Sequence, residues 1–517
     1  MQITFKSKTI LIMSLVILLS SSSFFLSDYL ENKLQTNNFS DAQLAFAEKI
    51  SIIKAFEIKQ AQQEKGSKDW FFYTVKLAKF KGKVAFALAQ IYLPIESNTR
   101  REDISQAKIE KGVFWYQQAI RLSFEPAKIA LAQWYFSQNN LNKAIEIIDS
   151  ILLETPEVAV LKAKILIKKG VGTNKEQKSL SKQLSWLAKS EQGNLLIKDI
   201  KHFQILPNLN NEQINAINES LVTPKCNVSI QFFATSVDNL HKTERLIQAF
   251  KSHLLNDFVC FSAVRYRSIK SLQCSSDPNA AIYCNDLQWL NIANSITTRY
   301  VGVMLPKGGA NVHLGMIFID SQDTSDVLAH EISHLLGFVD EYPLPLNHKK
   351  CQKTQNSAFS ENIAVLKKMY LGEKAEVRAK VLKQLAWAKN IKSTTPILHQ
   401  KNNDEVDKYT WWLGTPSKYN DQVGVFKSES CDYSNQQAFK PVLHQTQLRY
   451  FEKTFPNLYK DIFNETGNQF LMPSFHYNLA LALINNGDAA LSKRWLKKAA
   501  IFEQKSRRKN KILTATF

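Results

Sequence analysis

Residues Asp323–Tyr342 read DTSDVLAHEISHLLGFVDEY. Asp323 or Thr324 caps a helix, and Val327, Leu328, Ile332, Leu335 and Leu336 recur at the spacing of one apolar helical face. His330 and His334 are four residues apart, so one helical turn puts both imidazoles on the same side, the spacing that two zinc ligands need. Glu331 sits beside them, placed to reach a water without becoming a ligand. Gly337 suits the left-handed backbone that ends a helix and turns the chain back. Asp340 then arrives ten residues after His330 as the third ligand. The expected site is one catalytic Zn2+ on His330, His334 and Asp340, with Glu331 as the general base for water.

Other residues near this stretch have lesser roles. Glu341 is an alternative ligand, but its offset favours hydrogen bonding around the ligands. His348 and His444 read as loop residues. Tyr342, Tyr433 and Tyr450 are candidates for polarising a substrate carbonyl, and the sequence does not choose among them.

The pattern H-E-x-x-H-x-x-G-x-x-D over His330–Asp340 resembles that of the metzincins with Asp as third ligand. Its continuation Asp340-Glu341-Tyr342 is similar to the IgA-peptidase-like bacterial metallopeptidase family, whose helix runs into Asp-Glu-Tyr. Val423–Pro441 (VGVFKSESCDYSNQQAFKP) is similar to that family's segment before its Met-turn, and Gln384–Ile391 (QLAWAKNI) matches more weakly. The resemblance covers about Cys226–Glu452. It implies a metzincin-like zincin core, a mixed sheet plus an active-site helix, acting on protein or peptide. Two departures stand out. After Lys440-Pro441 the chain reads VLHQTQL (Val442–Leu448) where the family pattern leads to a Met beneath the zinc, leaving the later Met472 as the alternative. A helical insert is expected over Glu361–Ile391.

Outward from this core the pattern changes. Residues 226–460 make the expected peptidase domain, with strands at Asn227–Phe233, Phe258–Tyr266, Tyr300–Leu305 and His313–Asp320, and helices at Asn239–Leu255 and Asp286–Ser295. The strand His313–Asp320 is the expected free edge for an extended substrate. Before it, residues 40–206 read as helix after helix. Ala87–Tyr92 (ALAQIY) and Ala130–Tyr135 (ALAQWY) nearly repeat, 43 residues apart. Phe114–Ile120 and Asn142–Leu152 supply the second helices. The pattern resembles Sel1-like or tetratricopeptide repeats, which implies a surface for a protein partner. After the core, residues 475–503 form one more helical hairpin, whose apolar side needs a partner face, and 504–517 form a basic tail. The polar stretch 208–225 is a linker.

The first 26 residues place Lys6 and Lys8 before the apolar run Thr9–Leu19 and the serines 20–23, as in a secretory signal peptide or an N-terminal anchor. The protein is therefore expected to be exported, periplasmic or secreted. Six cysteines agree with export, and the expected pairs are Cys226–Cys260, Cys274–Cys284 and Cys351–Cys431. With 44% hydrophobic and 22% charged residues in a chain of 517, wholesale disorder is excluded. A mean hydropathy of −0.24 and a single long apolar run exclude a polytopic membrane protein. The net charge of +20 is spread along the chain, dense only at Lys505–Lys511, and no nucleic-acid-binding motif accompanies it. No nucleic-acid partner is expected, and membrane contact only through residues 9–26.

The fold class expected is α+β: a zincin core between an N-terminal α-helical repeat domain and a C-terminal helical hairpin. The function expected is an exported zinc-dependent endopeptidase. The alternative is an envelope scaffold with a vestigial core, against which the intact His330, Glu331, His334 and Asp340 argue.

Overall fold

The computed structural model describes residues 25–94, 105–206, 226, 228–275, 277, 280–400, 409–503 and 506–514. The expected signal or anchor lies outside these residues except for its last two, and the linker 208–225 lies outside them entirely. Among the described residues no helix is long and apolar enough to cross a membrane. The chain forms two compact units, residues 1–165 and 166–517.

The first unit is helical. In order come α1 (Asp41–Lys49), α2 (Ile53–Ala61), α3 (Lys68–Ala78), α4 (Gly82–Tyr92), α5 (Gln106–Arg121), α6 (Pro126–Ser137) and α7 (Leu141–Asp149); the unit ends within α8 (Pro156–Lys169). The two near-identical hexapeptides lie on α4 and α6, and α5 and α7 follow as their partners. Small residues let these helices approach. Ala85, Ala89, Ala119 and Ala130 are buried with Leu88 and Tyr116 in one core. A Cβ on Gly112 would come within 2.4 Å of Leu93 Cγ.

The second unit is mixed α+β. After α9 (Asn174–Ser181) and α10 (Glu191–His202) come β1 (Val228–Ala234), α11 (Val237–Phe250), β2 (Val259–Phe261), β3 (Arg265–Tyr266), β4 (Tyr300–Leu305), β5 (Asn311–His313), β6 (Met316–Asp320) and α12 (Ser325–Leu336). The main sheet runs β2-β1-β4-β6-β5, with β3 also pairing β1. All its pairs are parallel except β5 with β6. Then follow β7 (Ala364–Leu366), β8 (Met369–Leu371), α13 (Lys374–Leu382), β9 (Leu398–His399), β10 (Thr410–Leu413), β11 (Phe426–Ser428), β12 (Gln437–Lys440), α14 (Asn457–Thr466), α15 (Phe475–Asn485), α16 (Ala489–Ile501) and α17 (Ser506–Leu513). They include two small antiparallel sheets, β8-β10-β9 and β11-β12-β7.

Every residue of β4 is buried, as befits a central parallel strand covered on both faces. Helices α11 and α12 pack on one face, where Thr243 donates a hydrogen bond to the Met304 sulfur (3.3 Å). The other face sends Val301, Val303, Leu305, Met316 and Phe318 into a core with Leu479, Leu483, Trp495 and Leu496 of α15 and α16. The C-terminal hairpin is thus the second helical layer of this unit, and the sheet is the partner face it needed. Arg299 fastens the layer. It pairs with Glu503 (3.0 Å), both side chains being buried, and donates to the carbonyls of Met472 (2.9 Å) and Phe502. The neighbouring Tyr300 hydroxyl reaches the carbonyls of Met472 (2.7 Å) and Leu335 (3.1 Å), so the same cluster grips the end of α12.

Several boundaries differ from expectation. The strand read as His313–Asp320 is two strands, because Leu314 and Gly315 take positive φ (40° and 82°) and fold β5 back on β6. The outer edge is therefore β5, and β6 is interior. Phe258–Tyr266 divides into β2 and β3, the helix from Asn239 ends at Phe250, and Asp286–Ser295 holds only a 3-10 turn at Asp286–Trp289. The insert Glu361–Ile391 is α-helical only over Lys374–Leu382, with a 3-10 turn at Ala388–Asn390. Its first part pairs as strands, β7 with β12 and β8 with β10. The basic tail holds α17, with Arg508 on Glu503 (3.1 Å).

The cysteines pair as expected, Cys226–Cys260, Cys274–Cys284 and Cys351–Cys431, which fits an oxidising, extracellular setting. Thiol titration of the native protein should give no more than a trace until it is reduced. Six reactive thiols in the folded protein would instead place it in a reducing compartment.

Candidate metal centre

Local chemistry fixes the ends of α12. Thr324 is the N-cap, its side chain accepting from the Val327 amide. At the other end Gly337 has φ 101°, and the amides of Gly337 and Phe338 donate to His334 and Ser333 (both 3.1 Å), closing the last turn. Phe470 packs against this turn, and a Cβ at Gly337 would lie 2.5 Å from its Cβ and its carbonyl oxygen. Gly337→Ala should therefore lower stability by at least about 1 kcal/mol, from backbone strain alone and more from the clash. Thermal unfolding checks this; an unchanged Tm would contradict the tight turn.

The turn returns Asp340 to the histidines. His330 Nε2 and His334 Nε2 are 3.2 Å apart, and Asp340 Oδ1 is 3.1 Å from each. The other nitrogen of each ring is already engaged. His330 Nδ1 lies 2.9 Å from the Gln447 carbonyl and His334 Nδ1 3.1 Å from the Phe338 carbonyl. A carbonyl only accepts, so both Nδ1 atoms donate, and each neutral ring turns an Nε2 lone pair toward the carboxylate. Asp340 Oδ1 is buried and faces both Nε2 atoms. Ligands bonded to zinc at about 2.0–2.1 Å in a tetrahedron stand about 3.3 Å apart. The three atoms therefore have the spacing of one tetrahedral face, and the donor set fits zinc.

Electrostatics point the same way. Burial opposes charge on His334, yet the Asp340 and Glu331 carboxylates outweigh it and raise its pKa to about 9. Burial likewise disfavours the Asp340 carboxylate, but His334 and His330 hold it well below the usual range. The cluster draws in positive charge; a proton bridges one edge of the triangle, whereas a divalent cation serves all three atoms. Glu331 is 5% exposed. Burial pushes its carboxyl up, with His334 and His330 partly countering, which moves it toward the range a general base needs.

Of the three tyrosines, the structure brings Tyr342 to the cluster. Its ring lies parallel to that of His330 (centroids 6.5 Å, 10°), and burial together with the nearby Asp340 charge raises the pKa of its hydroxyl. Tyr433 and Tyr450 stand on the surface, the latter beneath the Arg449 guanidinium (4.3 Å). His444 is exposed, and its carbonyl accepts from Lys440 (2.9 Å). His348 is half-buried, near enough to Asp340 to feel its charge. Glu341 faces away from the triad, fully buried, bound by Lys440 Nζ (2.7 Å), Asn362 Nδ2 (3.2 Å) and the Tyr459 hydroxyl. Met472 sits at the β5–β6 turn, its sulfur accepting from the Gly315 amide (3.2 Å).

Residues that bound the site without a motif to announce them are Gln447 and Phe451. Both lie in or just beyond the stretch where the family pattern departs. The Phe451 ring meets His330 edge-on (4.7 Å). The Gln447 side chain is held by His253 (2.9 Å), which keeps its carbonyl on His330. No family model, curated protein or solved structure matches this chain.

Proposed function

We propose that the protein is an exported zinc-dependent endopeptidase whose metzincin-like core is joined to Sel1-like or tetratricopeptide-like helical repeats. The observation that carries this reading is the convergence of two Nε2 atoms and a buried carboxylate oxygen at tetrahedral spacing, beside a buried glutamate. His330, His334 and Asp340 would hold the metal. When bound, zinc supplies Lewis-acid polarisation of water and of the substrate carbonyl.

The chain's own residues do the rest. Glu331 accepts a proton from the attacking water and returns it to the leaving amine as the C–N bond breaks. The Gln447 and Phe338 carbonyls hold the imidazoles in the ligating tautomer. An extended substrate can add to the outer edge of β5, which lies against α12, with main-chain hydrogen bonds supplying register. The α4–α5 and α6–α7 hairpins, each opened by one of the matching hexapeptides, support the repeat reading and a role in holding a protein partner.

Metal removal tests the reading. The purified protein should carry about one zinc per chain and cleave members of a broad peptide library. A chelator should abolish cleavage, and added zinc should restore it. A protein that binds no stoichiometric zinc, or cleaves equally well without it, would end this proposal.

A further inference from the structure

The sheet β8-β10-β9 has an unusual outer face. In β8 the burial runs exposed, buried, exposed, yet all three residues are apolar or aromatic: Met369 is 45% exposed, Tyr370 8% and Leu371 73%. The register sets Met369 opposite Trp412 and Leu371 opposite Thr410, and directly opposed residues share a face. Trp412 itself is half-buried. A solvated sheet face ordinarily carries polar side chains; this one has Thr410 and His399 but sets Met369, Leu371 and Trp412 among them.

Its surroundings are basic. Lys367 and Lys368 enter β8 and are exposed, whereas Lys374, which opens α13, lies over the Trp411 ring on the other face (5.0 Å). From Lys367 to Lys392 the chain carries eight lysines and arginines against two glutamates. Apolar tips framed by lysines suit a bilayer surface, where Met and Leu enter the headgroup layer, Tyr and Trp sit at its boundary, and lysines meet lipid phosphates. A protein partner would need a patch of about 800 Å² per side, well beyond these few side chains.

We infer that the β8–β10 face is a docking surface for an anionic phospholipid membrane, with Met369 and Leu371 inserted and Lys367 and Lys368 on the headgroups. All six native cysteines are paired, so Leu371→Cys in the full chain takes a single environment-sensitive dye. Its emission should shift to the blue with phosphatidylglycerol vesicles and stay unchanged with phosphatidylcholine vesicles. The same dye on Lys493→Cys, exposed on α16, should not shift with either. This readout is local, so an apolar N-terminus that tethers the chain elsewhere does not mimic it. Lys367→Ser with Lys368→Ser should raise the vesicle concentration needed for half the shift by roughly 30-fold, about fivefold per lysine. The absence of a shift with phosphatidylglycerol, or an equal shift with phosphatidylcholine, overturns the proposal. Bound protein with a silent dye also overturns it, assigning the contact to another part of the chain.

Discussion

Glu331→Gln should leave zinc in place while turnover falls by roughly 10²–10⁴-fold, the usual loss when a general base is removed. The glutamine keeps the size of the side chain but cannot take the proton from water. Since Glu331 is not one of the three converging ligands, metal content should match that of the wild type. The melting temperature should hold or rise slightly, because a neutral amide avoids burying a carboxylate whose pKa burial already raises. Peptide cleavage at near wild-type rate would remove Glu331 from its role, whatever the metal content.

The adjacent carboxylates Asp340 and Glu341 should respond in opposite ways. Asp340→Ala leaves two ligands, and zinc retention should be lost with the fold intact, since the histidines no longer have a buried anion to balance. Glu341→Ala strips the partner from Lys440, which is 5% exposed and left with only the His444 carbonyl. Breaking a buried ion pair from one side costs about 3–5 kcal/mol. Denaturant unfolding of the Glu341 variant should show that loss, while dialysis and metal analysis of the Asp340 variant should show the missing zinc. If Glu341→Ala instead released zinc at unchanged stability, and Asp340→Ala kept it, the ligand would be Glu341.

What the sequence revealed follows the range of the interactions involved. The helix with His330 and His334 is legible because its spacing, cap and terminal glycine are all written within twenty residues. Asp340 is legible for the same reason. Gln447 is not, since it acts through a backbone carbonyl, a group every residue carries, 117 positions away from His330. The insert from Glu361 misled in a related way. Its lysines, alanines and leucines favour helix locally, but β7 finds β12 more than seventy residues later, and that distant pairing overrides local preference. The C-terminal hairpin shows the reverse case: both helices and the turn at Asn485–Gly487 follow from pattern, while the face that buries them does not.

That last layer bears on when the protein becomes whole. A polypeptide is made from its amino end, so α12 and its histidines exist well before residues 472–503 leave the ribosome. Until then the Leu335 carbonyl lacks its bond from the Met472 amide, and Arg299 lacks Met472, Phe502 and Glu503. The final turn of the histidine helix is secured by residues synthesised long after it. Nascent chains stopped before that point would hold the whole ligand set on an unfinished support, so assembly of the centre waits on the synthesis of residues 472–503.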